Sequence, residues 1–232
     1  MKKSKNTIIN AKKYSSKYHL KKEMEIIIEK LNEYNRAFQL YKCLLKEDNK
    51  AIIYKHFPYL FTIILNSLEE KFVLGLYKTI YDIDSNGKNI CIIDIIKRYE
   101  KDKKHFTEKK YYYINRIDIN KKVRRYLNPI EIKICINKIK SDLNNSKELK
   151  LFLHDFRRKT IAHLDKKYSF NSNIKYSKKA IKLDDIESLI NIFAEDMNNL
   201  YNSLFGISYT FLYNESDELQ YLNNIIKSYL NE

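Results

Sequence analysis

The chain has no tryptophan, three glycines and two prolines in 232 residues. So little turn chemistry argues against a β-rich fold, because short strands need glycine- and proline-containing turns between them. Several catalytic phrases are missing too. There is no glycine-rich phosphate loop, no Gly-x-Ser-x-Gly elbow and no His-Glu-x-x-His. Cys43, Cys91 and Cys135 are scattered and form no Cys-x-x-Cys pair. That fits a reducing compartment and offers no zinc site. No apolar run approaches the ~20 residues that span a bilayer. The lysine-rich N-terminus is not followed by the apolar core of a secretory signal. These absences lead us to expect a cytoplasmic protein with no metal, no cofactor and no membrane contact.

Acidic residues are in deficit, 29 against 44 Lys and Arg, which gives a net charge of +15. One reading is attraction to a polyanion. Another is compositional bias, since Lys, Asn, Ile and Tyr abound together. Clustering favours the polyanion. Residues 1–22 hold eight lysines and no acid, and residues 97–125 hold twelve Lys or Arg against four acids. The second stretch carries Tyr111, Tyr112 and Tyr113 between Lys109, Lys110 and Arg116. Aromatics among cations can stack bases while the charges hold phosphates. The same tyrosines could instead cap the edge of a core. The expected RNA-binding residues are Lys109, Lys110, Tyr112 and Arg116, with Lys166 and Lys167.

The apolar pattern predicts an all-α bundle. Residues 1–21 read as a loose basic arm and 22–232 as one helical domain. Helices are expected over about 22–48, 57–83, 90–102, 129–144, 147–164 and 184–204, with a last one ending near Leu230. Pro58 suits a first helical turn, where its missing N–H costs little. The run from Asp84 to Lys88 is the clearest turn. Ser146 can cap the helix that follows it, Asp184 and Glu187 read as a capping box, and Gly206 ends that helix. Ser216 is expected to cap the last helix. Residues 103–128 form a charged connector with no predicted element, and 166–181 read as an exposed loop.

The helix over 147–164 carries the chemistry. Leu149, Phe152, Leu153 and Phe156 recur at the spacing of a buried face. At about 100° per residue His163 continues that face, Arg157 flanks it by about 80°, and Arg158 points roughly the other way. An arginine can hold a phosphate through its planar fork of donors. A histidine can move a proton near neutral pH. Arg157 is the preferred partner of His163, and Arg158 also fits a looser spacing. His154 lies half a turn off the face of His163, so a shared metal is not expected. Leu151 and Ile161 are apolar on the opposite side, and a helix apolar on two sides must bury both. A second subunit could cover one of them.

The phrase Arg157-Arg158-Lys159-Thr160-Ile161-Ala162-His163-Leu164-Asp165 resembles the signature of HEPN domains, above all an abortive-infection branch with an Arg-x-Lys-x-x-Ala-His-x-Asp ending. A looser match runs from Leu76-Tyr77-Lys78-Thr79-Ile80-Tyr81-Asp82 through a polar loop to Ile90-Cys91-Ile92-Ile93-Asp94-Ile95-Ile96. Together the resemblance covers roughly residues 22–205. It implies a HEPN-like helical bundle and a metal-independent endoribonuclease of toxin or abortive-infection type. His163 would deprotonate the ribose 2′-OH or protonate the leaving 5′-oxygen. Arg157 would steady the charged phosphorus centre, with Lys159 and Asp165 supporting the site. The product would be a 2′,3′-cyclic phosphate. The resemblance also implies a homodimer whose two motifs face one cleft, and in some relatives an antitoxin partner.

One position departs from the family pattern. Many active members carry Asn, Asp or His directly after the arginine, and here it is Arg158. A catalytically inactive protein that binds RNA or a protein partner is therefore the second reading. A third is a toxin silenced by a nucleotidyltransferase, which modifies the tyrosine of a His-x-Tyr phrase. The residue two after His163 is Asp165, and the nearest tyrosine is Tyr168.

Overall fold

A computed structural model describes residues 2–83, 90–101, 111–115, 122–126, 129–162, 182–206, 224, 225 and 228. Among these residues the fold is all-α. Seven helices are formed: α1 (Lys2–Leu44), α2 (Glu47–His56), α3 (Pro58–Ile80), α4 (Ile92–Lys101), α5 (Pro129–Asn145), α6 (Lys147–Ala162) and α7 (Leu183–Phe205). Between α4 and α5 lie two short antiparallel strands, β1 (Tyr111–Asn115) and β2 (Lys122–Tyr126).

The N-terminal basic segment is helical from Lys2 instead of a loose arm. Its charge does not forbid this. Lysine is a good helix former, and neither glycine nor proline occurs before Pro58 to interrupt the hydrogen-bond ladder. The first expected helix is also split. It stops at Leu44, and α2 begins three residues later. Asn49, buried, donates its side-chain N–H to the Cys43 carbonyl at 2.7 Å. That bond satisfies a carbonyl which the ended helix leaves without its usual partner.

Other boundaries follow the punctuation in the sequence. Pro58 and Pro129 each open a helix. Gly206 has φ 71° and donates its N–H to the Asn202 carbonyl at 2.7 Å, which closes α7. The capping box is different from the expected one. Because α7 starts at Leu183, it is Asp185 that reaches back, accepting the Lys182 N–H at 3.0 Å. Glu187 instead accepts hydrogen bonds from Lys42 at 2.7 Å and Gln39 at 3.0 Å. The Lys42 bond, followed by Gln39, holds the Glu187 carboxyl below its usual range. Ser146 does not cap α6: its hydroxyl donates to the Leu143 carbonyl at 3.3 Å and accepts from the Tyr81 hydroxyl at 2.7 Å. The turn at 84–88, Ser216 and most of the expected last helix lie outside the described residues. Of that helix, residues 224, 225 and 228 are helical.

The chain divides into two compact units, each built from separated segments. The first comprises Met1–Lys30, Thr79–Ser146 and Asn191–Tyr209. Its core is rich in isoleucine: Ile27 and Ile28 of α1, Ile92, Ile95 and Ile96 of α4, Ile132, Ile136 and Ile139 of α5, closed by Phe193, Met197, Leu200 and Tyr201 of α7. Tyr201 donates its hydroxyl to Glu25 at 2.6 Å, so a large buried ring keeps its polar atom satisfied.

The second unit comprises Leu31–Lys78, Lys147–Ile190 and Thr210–Glu232. Its core is more aromatic. Phe38 and Tyr41 of α1 meet the Phe72 ring of α3 edge-on, with centroids 5.3 and 5.4 Å away. Leu31, Phe61, Val73, Leu76, Tyr77, Leu149, Leu153, Leu189 and Ile190 complete it. Gly75 permits one close approach. A Cβ built there would stand 2.3 Å from the Tyr34 ring.

Candidate functional site

The site is built on the last turns of α6, inside the second unit. Leu149 and Leu153 are buried, whereas Phe152 and Phe156 are half-buried, their rings 6.3 Å apart. The buried face of α6 is therefore centred on the Leu149–Leu153 line, and Phe152 and Phe156 form its flank. Arg157 stands four residues after Leu153 and continues that line, about 40° from Leu153 around the helix. It lies closer to the centre of the face than the sequence pattern suggested. Arg157 is half-buried, while Arg158 is exposed.

What receives the half-buried arginine is Tyr77 of α3. The Arg157 guanidinium carbon lies 5.2 Å from the centroid of the Tyr77 ring. A cation over an aromatic face is attracted by the ring quadrupole, and more strongly as water is excluded. Tyr77 is itself buried. The ring thus acts as a fixed platform that limits where the guanidinium can go. The His154 ring lies on the same tyrosine, with centroids 5.7 Å apart, and its Nδ1 is 3.7 Å from Asp155 Oδ1. Two phrases that stand far apart in the sequence meet here, since Tyr77 belongs to the upstream one and Arg157 to the downstream one.

The remaining expected residues fall as follows. His163, Asp165, Lys166, Lys167, Lys109, Lys110 and Arg116 lie outside the described residues. Lys159 is in α6, described at its backbone alone. Tyr112 is in β1, in register with Arg125, and the next pair is Tyr113 with Arg124. Tyrosines and arginines therefore hold facing positions on a two-stranded ribbon, inside a stretch read from sequence as a connector. Leu151 is 60 % exposed, and the Ile161 side chain lies outside the described set. Among the described residues no group of three or more His, Cys, Asp or Glu could hold a metal ion. No described helix is long and apolar enough to cross a membrane.

Sequence reasoning missed Tyr77 and His154 as neighbours of the arginine. Tyr77 carried a signal, because it extends the Phe72–Val73–Leu76 spacing that buries one face of α3. His154 carried none, since it lies off the expected face. No family model matches the chain, and neither does any curated protein or solved structure.

Proposed function

We propose that this protein is a metal-independent endoribonuclease of the HEPN kind, acting on RNA in the cytoplasm as a toxin or abortive-infection effector. The observation that carries the reading is the seat of Arg157. It is half-buried on the Tyr77 ring, six residues before His163 in the sequence, while its neighbour Arg158 is exposed. Such a seat pre-orients a phosphate-binding fork, and pre-orientation is what a charge-stabilising group needs.

In this mechanism Arg157 holds the scissile phosphate. The ribose 2′-oxygen attacks phosphorus as its proton leaves, and the bond from phosphorus to the 5′-oxygen breaks. His163 either takes the first proton or supplies the one that the leaving oxygen needs. The products are a 2′,3′-cyclic phosphate and a 5′-hydroxyl. The ribbon of β1 and β2, with its Tyr–Arg register, supports RNA as the ligand.

Purified protein should cut single-stranded or loop RNA in EDTA. Arg157→Ala should cost far more activity than Arg158→Ala. Tyr77→Leu, which removes the platform, should lower kcat, and Tyr77→Phe should restore most of it because the ring face is kept. Equal losses at Arg157 and Arg158 would reject the assignment. A second reading, RNA binding without cleavage, is favoured by Arg158 in the place where active relatives carry Asn, Asp or His. It predicts salt-dependent RNA binding with no cut product.

A further inference from the structure

At the corner between α2 and α3, inside the second unit, six large apolar side chains stand in water. Tyr54 is 57 % exposed, Phe57 61 %, Tyr59 81 %, Leu60 53 %, Ile63 45 % and Ile64 37 %. They do not lie along one straight helix. The chain leaves helical geometry at Phe57, with φ −139° and ψ 54°, and α3 starts at Pro58. Two contacts fasten the corner. The Phe61 N–H donates to the Phe57 carbonyl at 2.9 Å, and the buried Phe61 ring meets Tyr54 edge-on, with centroids 6.4 Å apart. Tyr54 and Phe57 are thereby held beside the first turn of α3, where Tyr59, Leu60, Ile63 and Ile64 cover about 140° of the helix. Together the six present on the order of 650 Å² of surface, taking about 200 Å² for a whole large side chain. That exceeds the roughly 300–600 Å² found for the largest apolar patch of a typical monomer, and such patches mark protein or membrane contacts.

The charge around this corner has one sign. From Asn49 to Leu68 the sequence holds no acidic residue, while Lys50, Lys55 and His56 are exposed. Acids stand beyond both ends, Glu47 and Asp48 before and Glu69 and Glu70 after. Past Ile64 the same side of α3 turns polar, with Ser67, Glu70, Lys71 and Lys78 along an open groove of about 420 Å³. Charges there are mixed. Glu70 and Lys78 are both exposed, and Lys71 pairs with Glu33 at 2.9 Å. Glu70 lies about 10 Å along the helix from Ile63.

These features select the occupant. Leu60, Ile63 and Ile64 offer nothing to a phosphate or a base edge, so RNA would leave them in water. A helical partner is held in a groove, and the groove on α3 is lined by none of the six. An anionic bilayer surface takes all three parts of the corner. Aliphatic side chains enter the acyl boundary and aromatic rings sit at the headgroups, while lysines meet the lipid charge with their stems along apolar surface. No described helix is long and apolar enough to cross a membrane, but a face that dips into one leaflet needs no spanning run. The missing apolar run in the sequence excludes the first kind of contact and leaves the second open.

We propose that the α2–α3 corner docks on an anionic lipid surface, with Phe57, Tyr59, Leu60 and Ile63 among the headgroups and Lys50 and Lys55 against the lipid charge. The first two turns of α3 enter and its mixed-charge stretch stays in water. Tyr77 is fourteen residues beyond Ile63, roughly 21 Å along the helix. The Arg157 seat therefore stays clear of the lipid and open to RNA. The docking does not depend on whether the chain cuts RNA.

The chain has no tryptophan, so Tyr59→Trp gives the full-length protein a single reporter at the most exposed position of the corner. With vesicles of phosphatidylserine and phosphatidylcholine its emission should shift to the blue and be quenched by brominated lipid. Leu151→Trp, at an exposed apolar position of α6, should do neither. Ile63→Asp should lower partition onto these vesicles by about tenfold or more with an unchanged thermal transition, since the side chain it replaces is largely in water. Lys50→Glu and Lys55→Glu should each lower it by about fivefold or more. Vesicle binding with a water-like Tyr59→Trp spectrum would overturn the proposal, because a chain of net charge +15 can adsorb by charge alone. Absence of binding, or Ile63→Asp binding like the wild type, would overturn it as well. A blue shift that appears without vesicles as protein concentration rises would identify a second copy as the occupant and would also overturn it.

Discussion

Two places in this protein break the usual partition of side chains, and they do so in opposite directions. The first two turns of α3, in the second unit, hold Tyr59, Leu60, Ile63 and Ile64 in water. The stretch of α7 that belongs to the first unit takes Asp196 out of it, to 2 % exposure. The difference lies in where the compensation comes from. Asp196 has its partners inside the unit. Lys138 donates to it at 2.6 Å, and the Asp142 carboxyl faces it. Burial still wins over Lys138 and pushes the Asp196 carboxyl up to about 6. The α3 face has no such partner among the described residues. A buried charge with neighbours is a matter of internal stability, whereas an apolar face without them is a matter of contact outside the chain.

The largest effect that sharpens this comparison is expected within α3 itself. Leu76→Ala, at a fully buried position, should lower unfolding free energy by about 2–5 kcal/mol in urea denaturation. Leu60→Ala, in the first turn of the same helix but exposed, should stay within about 0.5 kcal/mol. Equal losses would mean that the α3 face is covered within the chain.

The next effect tests the buried carboxyl. Its folded pKa, about 6, lies above its unfolded value of 3.8, so the folded state binds the proton more tightly. The resulting stabilisation is fully present below about pH 4 and is lost as pH rises through about 6. Asp196→Asn mimics the protonated form. It should melt higher than the wild type at pH 7.5, by on the order of 2 kcal/mol, and the gain should vanish by pH 4. A variant that melts lower at pH 7.5 would show that the Lys138 pairing outweighs the burial. The smallest effect is at the arginine seat, where Tyr77→Leu should destabilise through lost ring packing while Arg157→Ala, which removes a cation–π contact, should cost about 1 kcal/mol.

The helices were legible because their apolar spacing is regular and because Pro58, Pro129 and Gly206 mark boundaries by local chemistry alone. The break after Leu44 was not, since no breaker stands there and the side chain of Asn49 supports it from beyond. The box at α7 was misread by one residue because Asp184 and Asp185 are adjacent and either could reach back. The β1–β2 pair was hidden by the absence of glycine between the strands. At the candidate site, it was legible from the helix spacing that Arg157 turns inward and Arg158 outward. The platform under Arg157 was not, because Tyr77 is eighty residues away and nothing local links the two.

The proposed ribonuclease site rests on Arg157 and His163 together. The most direct measurement incubates a single-stranded RNA with the full-length chain in EDTA and examines the ends of the products. The expected products are fragments ending in 2′,3′-cyclic phosphate and 5′-hydroxyl, lost in His163→Ala and Arg157→Ala and largely kept in Arg158→Ala. Intact RNA with the wild type, or cutting that survives His163→Ala, would contradict it.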